Sequence, residues 1–262
     1  MFQKIYSADT PMKVGIFLCS SSASNAEALI RYALSVPKDK RLWEPSLLLT
    51  DRPTSRCEEL GDDFEIPTLI RDVKADYEAT KGKDFSQRRD IDMPYATRLA
   101  EEGITVCAMA GWEWWTSDAL TGPFYLVNMH PGDVTEKDED GKPALMGLHH
   151  IPISKAILRE LVYIHSSTMI LNEGKDTGPG LIISDPLRLN LRGHTYEELK
   201  VDKELRHEIA GENQGYLKHC GDLVIFGPTL DNIANGNFEI NPEKTKVAYK
   251  GIPTEGVFFG DM

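Results

Sequence analysis

An α/β fold built on a largely parallel sheet is the architecture this sequence predicts, and three observations lead there. Strand-like apolar runs alternate with helical stretches through the first half of the 262 residues. The apolar fraction, 41%, is ordinary for a globular chain and sufficient for a sizeable core. There is also no internal repeat, low-complexity linker or clear compositional boundary, so one domain is expected.

The elements follow in order. "KVGIFLC" (13–19) reads as a buried strand. "SNAEALIRYALS" (24–35) sets Ala28, Leu29, Tyr32 and Ala33 at helical spacing behind a serine able to cap. "EPSLLLT" (44–50) is strand-like, "RCEELGDDF" a short helix, and "IPTLI" (66–70) a third strand. Residues 84–103 form a long polar helix pattern, broken or kinked near Pro94. "ITVCAMA" (104–110) and "FYLVNMH" (124–130) are the fourth and fifth strands.

The pattern then changes. "TEKDEDGKPALMG" is charged and turn-rich, with Asp140-Gly141 a hairpin-type signal; its acidic cluster reads as a solvated loop. A helix is expected over 153–161, strands over 167–171 and 180–189, and a helical region over 195–221. "GPTLDNIANGNFEI" reads as helix, turn and strand start, and 246–251 as a last strand.

The formal net charge of −12 weighs against non-specific nucleic-acid binding, which needs Lys and Arg against phosphates. It leaves room for an anionic small molecule seated on backbone N–H groups at a helix start. Cys19, Cys57, Cys107 and Cys220 include no close pair, no zinc spacing and no secreted-type disulfide framework. The polar start is unlike a signal peptide, and no apolar run approaches the ~20 residues that span a bilayer. A soluble, cytoplasmic protein without membrane or nucleic-acid partners is therefore expected.

Three places could carry chemistry. In "LVNMHPGDV" (126–134), Asn128 and His130 stand two apart on an extended segment and so face one spot where a strand gives way to a loop. Such carboxyl strand edges bind ligands in open α/β sheets, although a lone His there is more often a satisfied structural residue. The turn "SSSASNAEAL" (20–29) joins a strand to a helix N-terminus, an anion-binding geometry, yet its serines could simply cap the helix. It is neither a dinucleotide fingerprint nor a phosphate loop. "NEGKDTGPGLII" (172–183) places Asp176 in a glycine-bounded loop, which turn chemistry alone would also explain.

Taken in order, these pieces resemble the folate-dependent formyltransferases. The matching residues are Ser24-Asn25, Ala110-Gly111, Asn128 with His130-Pro131, "GLHH" (147–150), Asp176 with Gly178-Pro179, and the closing "IANGNFEI" and "GIPTEGV". The similarity spans essentially the whole chain. It implies a Rossmann-like formyltransferase fold with helices on both faces of the sheet. A nucleotide-binding-like half would span 12–125, and a catalytic and carboxyl-terminal half 126–262.

The implied activity moves a formyl group from 10-formyltetrahydrofolate to the amine of a small acceptor. Glycinamide ribonucleotide, of purine biosynthesis, or a related amine would be that acceptor, and no metal takes part. The resemblance assigns catalysis to Asn128, His130 and Asp176. Folate binding falls to Gly111, Trp112, Glu113, Trp114, Trp115, Leu171, Asn172 and Glu173. Acceptor binding falls to Ser22, Ser24, Asn25, His149 and His150. The expected assembly is a monomer or homodimer. The alternatives are hydrolysis of 10-formyltetrahydrofolate by the same groups, and a non-catalytic binder of small molecules.

Four departures stand out. Serine and alanine replace the family's glycines in the first turn. "GWEWWTS" (111–117) replaces a Met-Arg-Ile-Leu-like stretch. Met169 occupies the place of a family histidine. Residues from roughly 133 to 145 are inserted. Fold and reaction type therefore transfer further than the substrate does.

Overall fold

The computed structural model describes residues 1–80, 85–172 and 178–262. After β1 (Gln3–Lys4), the chain runs β2 (Met12–Phe17), α1 (Ser24–Ser35), β3 (Trp43–Thr50), α2 (Cys57–Phe64) and β4 (Thr68–Ile70). It continues through α3 (Lys74–Thr80), α4 (Phe85–Glu101), β5 (Val106–Met109), α5 (Asp118–Thr121) and β6 (Tyr125–His130). The second half holds α6 (Ile151–Leu158), β7 (Tyr163–Ile164), β8 (Ser167–Ile170), β9 (Gly180–Ile183) and β10 (Leu187–Arg188). Helices α7 (Tyr196–Val201), α8 (Lys203–Leu217) and α9 (Leu223–Ala234) follow, with a π-helical turn over Lys218–Asp222 between the last two. The chain closes with β11 (Phe238–Ile240), β12 (Val247–Tyr249), β13 (Ile252–Thr254) and β14 (Val257–Phe258).

The central sheet has the order β14-β9-β8-β6-β5-β2-β3-β4. From β6 through β4 every neighbouring pair is parallel. Strand β8 runs antiparallel to both β6 and β9, and β14 returns parallel to β9. The sheet is thus mostly parallel, with β8 running against its two neighbours.

Period-two alternation divides the strand side chains between two cores. Val14, Ile16 and Leu18 join Leu48, Val106 and Ala108 on one face, covered by α1, α2 and α9. Phe17, Cys19, Leu47, Leu49, Cys107 and Met109 point the other way, beneath Tyr77, Tyr95 and Leu99 of α3 and α4. A third cluster lies among α6, α7 and α8.

Several elements differ from their sequence reading. The single strand expected over 180–189 is two, β9 and β10, because Pro186 has no N–H to continue a ladder. Helix α4 runs through Pro94 to Glu101, and α3 precedes it. The helical region 195–221 divides at Asp202, whose side chain accepts the Leu205 N–H at 2.9 Å and caps α8. The last strand is a hairpin of β12 and β13.

The segment after β5 is held from below by buried polar groups. Asp92 of α4, fully buried, accepts the Tyr77 hydroxyl, the Ser117 N–H and the Ser117 hydroxyl, each at 2.7 Å. Burial pushes its pKa up, and these donors oppose that shift. Arg88, one turn earlier, donates to the carbonyls of Trp115 and Tyr77. Asp92→Ala strands three buried donors at once and should destabilise the fold by about 3–5 kcal/mol, read from the urea midpoint. An unchanged midpoint would show that the 112–117 segment is held by its aromatic packing alone.

Candidate active site

A cleft of about 290 Å³ opens at the carboxyl ends of β2, β5 and β6. The chain leaves β2 toward β3 on one side and β5 toward β6 on the other, so the two connections diverge above the sheet. That divergence is the topological switch at which open α/β sheets bind ligands.

The first wall is the turn after β2. Ser20 Oγ accepts the Ala23 N–H at 3.0 Å, and Ala23 adopts the left-handed conformation with φ 45° before α1 begins. Glycine takes that conformation freely; alanine holds it at a cost of about 1 kcal/mol. No side-chain cap covers the start of α1, so its first N–H groups are left for water or a ligand. Ser22, Ser24 and Asn25 line the cleft here. Asn25 Oδ1 is buried without a hydrogen-bond partner, an acceptor available to a ligand donor.

The second wall comes from β5 and β6. Gly111 has φ +93°, which turns the chain over Ser20. Trp112 and Glu113 follow it into the lining, and Asn128 and His130 enter together from the end of β6. His130 is 2% exposed, and its Nε2 lies 2.7 Å from the Leu145 carbonyl oxygen. A carbonyl can only accept, so Nε2 carries a proton there. The segment after β6 therefore supplies the acceptor that holds the imidazole. His149 joins the rim in a left-handed conformation with φ 53°.

Sequence reasoning missed the third wall. Gln214, Lys218 and Asp222 line the cleft from α8 and the π turn. Their spacing of four places them along one helix face, a signal that could have been read, but the run resembled a solvated helix surface. Asp222 accepts the Ser166 hydroxyl at 2.5 Å. Burial raises its pKa from 3.8 to about 6, against the stabilising pull of Ser166, Lys218 and Asn25.

The expected site residues thus divide. Ser22, Ser24, Asn25, Gly111, Trp112, Glu113, Asn128, His130 and His149 meet in this cleft. His150 does not line it; its ring packs 5.0 Å from that of His207 on α8. Trp114, Trp115, Leu171 and Asn172 are also outside its lining. Trp114 stacks on Tyr77 at 5.4 Å and donates to the buried Asp51 at 2.8 Å. Trp115 stands exposed, while Leu171 packs against the α3–α4 core. Trp112 is largely a core side chain, edge-on to Phe17, Tyr77 and Tyr95. Glu113 is held at the rim by Arg52 at 3.5 Å, and Arg52 is itself paired with Asp51. Glu173 and Asp176 lie outside the described residues. Among the described residues no His, Cys, Asp and Glu cluster could hold a metal, and no helix is long and apolar enough to cross a membrane.

No family model matches the sequence, and no curated protein does. Solved structures do. The phosphoribosylglycinamide formyltransferase from Coxiella burnetii superposes with a TM-score of 0.66 at 17% identity, covering 95% of this chain and 100% of that one. The phosphoribosylglycinamide formyltransferase from Bacillus halodurans gives 0.52 at 26% identity, over 78% and 95%. A formyltetrahydrofolate deformylase from Pseudomonas syringae pv. tomato gives 0.57 at 12% identity, over 92% of this chain and 66% of that one. The chain has the formyltransferase fold.

Asp222 makes a testable link to stability. Folding raises its pKa from 3.8 to about 6, so the folded protein holds that proton more tightly than the unfolded chain. The resulting stabilisation is complete below the unfolded value and is lost as pH rises through about 6. Asp222→Asn should therefore gain on the wild type between pH 5 and 7.5, by roughly 2–6 °C in melting temperature. Parallel melting curves across that range would show that the carboxyl is not desolvated.

Proposed function

We propose that this cleft transfers a formyl group from 10-formyltetrahydrofolate to the amine of a small acceptor. The observation that carries the reading is the meeting of Asn128 and His130 in a cleft at the sheet's switch point, in a chain of the formyltransferase fold. The amine lone pair attacks the formyl carbon, and the carbonyl π electrons move onto oxygen. Asn128 Nδ2–H donates to that oxyanion; a preorganised donor of this kind contributes about 3–4 kcal/mol to the transition state.

The attacking nitrogen must lose a proton, and N10 of the folate must gain one as its bond to the formyl carbon breaks. His130 mediates this exchange. Its Nε2–H donates to the Leu145 carbonyl, which fixes the orientation of the imidazole for that exchange. Asp176 is assigned the supporting role of the resemblance, orienting His130 and a relay water. The products are the formylated amine and tetrahydrofolate.

The donor enters as a substrate, and Gly111, Trp112 and Glu113 offer it a backbone edge and an apolar wall beside Asn128. On the acceptor side, the uncapped start of α1, the Ser22 and Ser24 hydroxyls and Lys218 suit an anionic group. Asp222 suits a hydroxyl or ammonium donor between that anion and the reacting carbon. A phosphorylated amine such as glycinamide ribonucleotide meets these requirements. A second reading has one specific support, the superposition of the formyltetrahydrofolate deformylase over most of this chain. In that case water would replace the amine.

The test is release of tetrahydrofolate from 10-formyltetrahydrofolate across a panel of amines that includes glycinamide ribonucleotide. Amine-dependent release is expected, with His130→Ala slower by ~10²-fold or more and Asn128→Ala by ~10²–10³-fold. Equal release without any amine would replace the transferase by the hydrolase. No release under any condition would leave a binding protein.

A further inference from the structure

We infer that Ser166 is a positioning residue: its buried hydroxyl, seated in space left by Gly221, aims the Asp222 carboxyl into the cleft. Ser166 lies between β7 and β8, is fully buried, and has no place in the lining of the cleft. Its backbone is pinned on both sides. The Ser166 N–H donates to Ser184 Oγ at 2.9 Å, and the Ser166 carbonyl accepts the Ser184 N–H at 2.8 Å. With the backbone fixed, the side chain has one task, donation to Asp222 Oδ1 at 2.5 Å.

Gly221 makes that contact possible. A Cβ at this position would stand 2.5 Å from Ser166 Oγ and 3.0 Å from its Cβ. Any side chain there would drive the hydroxyl off its present line to Asp222. The π turn adds the second condition. Its wider winding carries Gly221 against Ser166 while Asp222, the next residue, stays at the cleft. Serine, glycine and π turn thus serve one carboxyl.

The surroundings of Asp222 set what loss of Ser166 would do. On its own element it meets Lys218, which favours its charge, and the thiol of Cys220, whose pKa it helps to raise. From α1 it meets Asn25. Across the cleft stand Glu113, His130 and His149. Ser166 differs from these in lying outside the lining of the cleft, with its hydroxyl 2.5 Å from Asp222 Oδ1. Without it the desolvation of Asp222 is less opposed, and the proton is held to higher pH. The consequence for an acceptor rests on the transferase reading; the positioning does not.

The test separates the two. Protein labelled with ¹³C-carboxyl aspartate is titrated by NMR, the Asp222 signal being assigned by its loss in Asp222→Asn. Its midpoint should lie near pH 6 in the wild type. In both Ser166→Ala and Gly221→Ala it should rise by about one to two pH units, the worth of a hydrogen bond to a charged group. Gly221→Ala leaves both bonded side chains chemically intact, so agreement of the two variants marks displacement of the hydroxyl rather than a general loss of packing. If Gly221→Ala does not fold, Ser166→Ala alone decides. A midpoint unmoved in folded Ser166→Ala overturns the proposal. With 10-formyltetrahydrofolate and glycinamide ribonucleotide, the same variants should raise KM for the amine about 5- to 10-fold near neutral pH while kcat changes little. Absence of turnover in the wild type would remove the transferase reading, and the NMR midpoint would still decide the role of Ser166.

Discussion

Where β2 lies beside β5, with Phe17 opposite Met109, the molecule commits to having a crevice. Parallel strands require crossovers, and these crossovers leave in opposite directions from the two neighbours. No loop can then cover both strand ends. Everything placed at the cleft depends on that divergence: the serine turn leaves β2, the Gly111 turn leaves β5, and β6 brings Asn128 and His130 alongside. The chemistry of the site is a question of which side chains occupy these three ends, and the identity of the core residues beneath them matters only through packing.

The ends must also be held still, and the chain does this with buried polar groups rather than with more apolar surface. Asp92 anchors the segment after β5 through three hydrogen bonds. Asp51, fully buried, takes both Arg52 and the Trp114 indole, and Arg52 in turn restrains Glu113. The Leu145 carbonyl holds His130, and Ser166 holds Asp222. Each such group carries a desolvation cost that its partners must offset, and the raised pKa values of Asp92 and Asp222 are that cost made visible. The return is geometric. A buried carboxylate with all its directions used cannot rotate, so the loop it serves has one arrangement.

How far this was legible in the sequence follows from the range of the interactions involved. The strands of the first half and the pairing of Asn128 with His130 rest on local periodicity and on the two-residue repeat of extended chain, which any sequence displays directly. Asp222 did not stand out because its role depends on contacts across the fold, with Ser166 fifty-six positions away, and on a π turn that has no local signature. The Leu145 carbonyl was invisible for another reason: a backbone acceptor looks the same at every position. The tryptophans show the converse. "GWEWW" suggests aromatic walls, yet Trp114 is spent on Tyr77 and Asp51, and most of Trp112 on the core, because three large rings following one tight turn cannot all face the same opening.

The division of labour between strands and helices bears on substrate choice. Asn128 and His130 sit at the end of a strand in the middle of the sheet, Asn128 paired with both β5 and β8 and His130 with β8, so the ladder fixes their backbone. The opposite wall of the cleft comes instead from α1, α8 and the π turn, and from the loop carrying His149. A helix or loop can shift by a fraction of a turn without breaking a sheet, so this side of the cleft can change its ligand while the reacting geometry stays. Ala23 in a left-handed conformation and Asp222 beside Lys218 lie on this side, and the Leu145 carbonyl lies behind the imidazole. Under the proposed transferase reading, an uncapped helix start with serine hydroxyls on one side and the Asp222 carboxyl on the other favour an acceptor that carries both an anionic group and a hydrogen-bond donor.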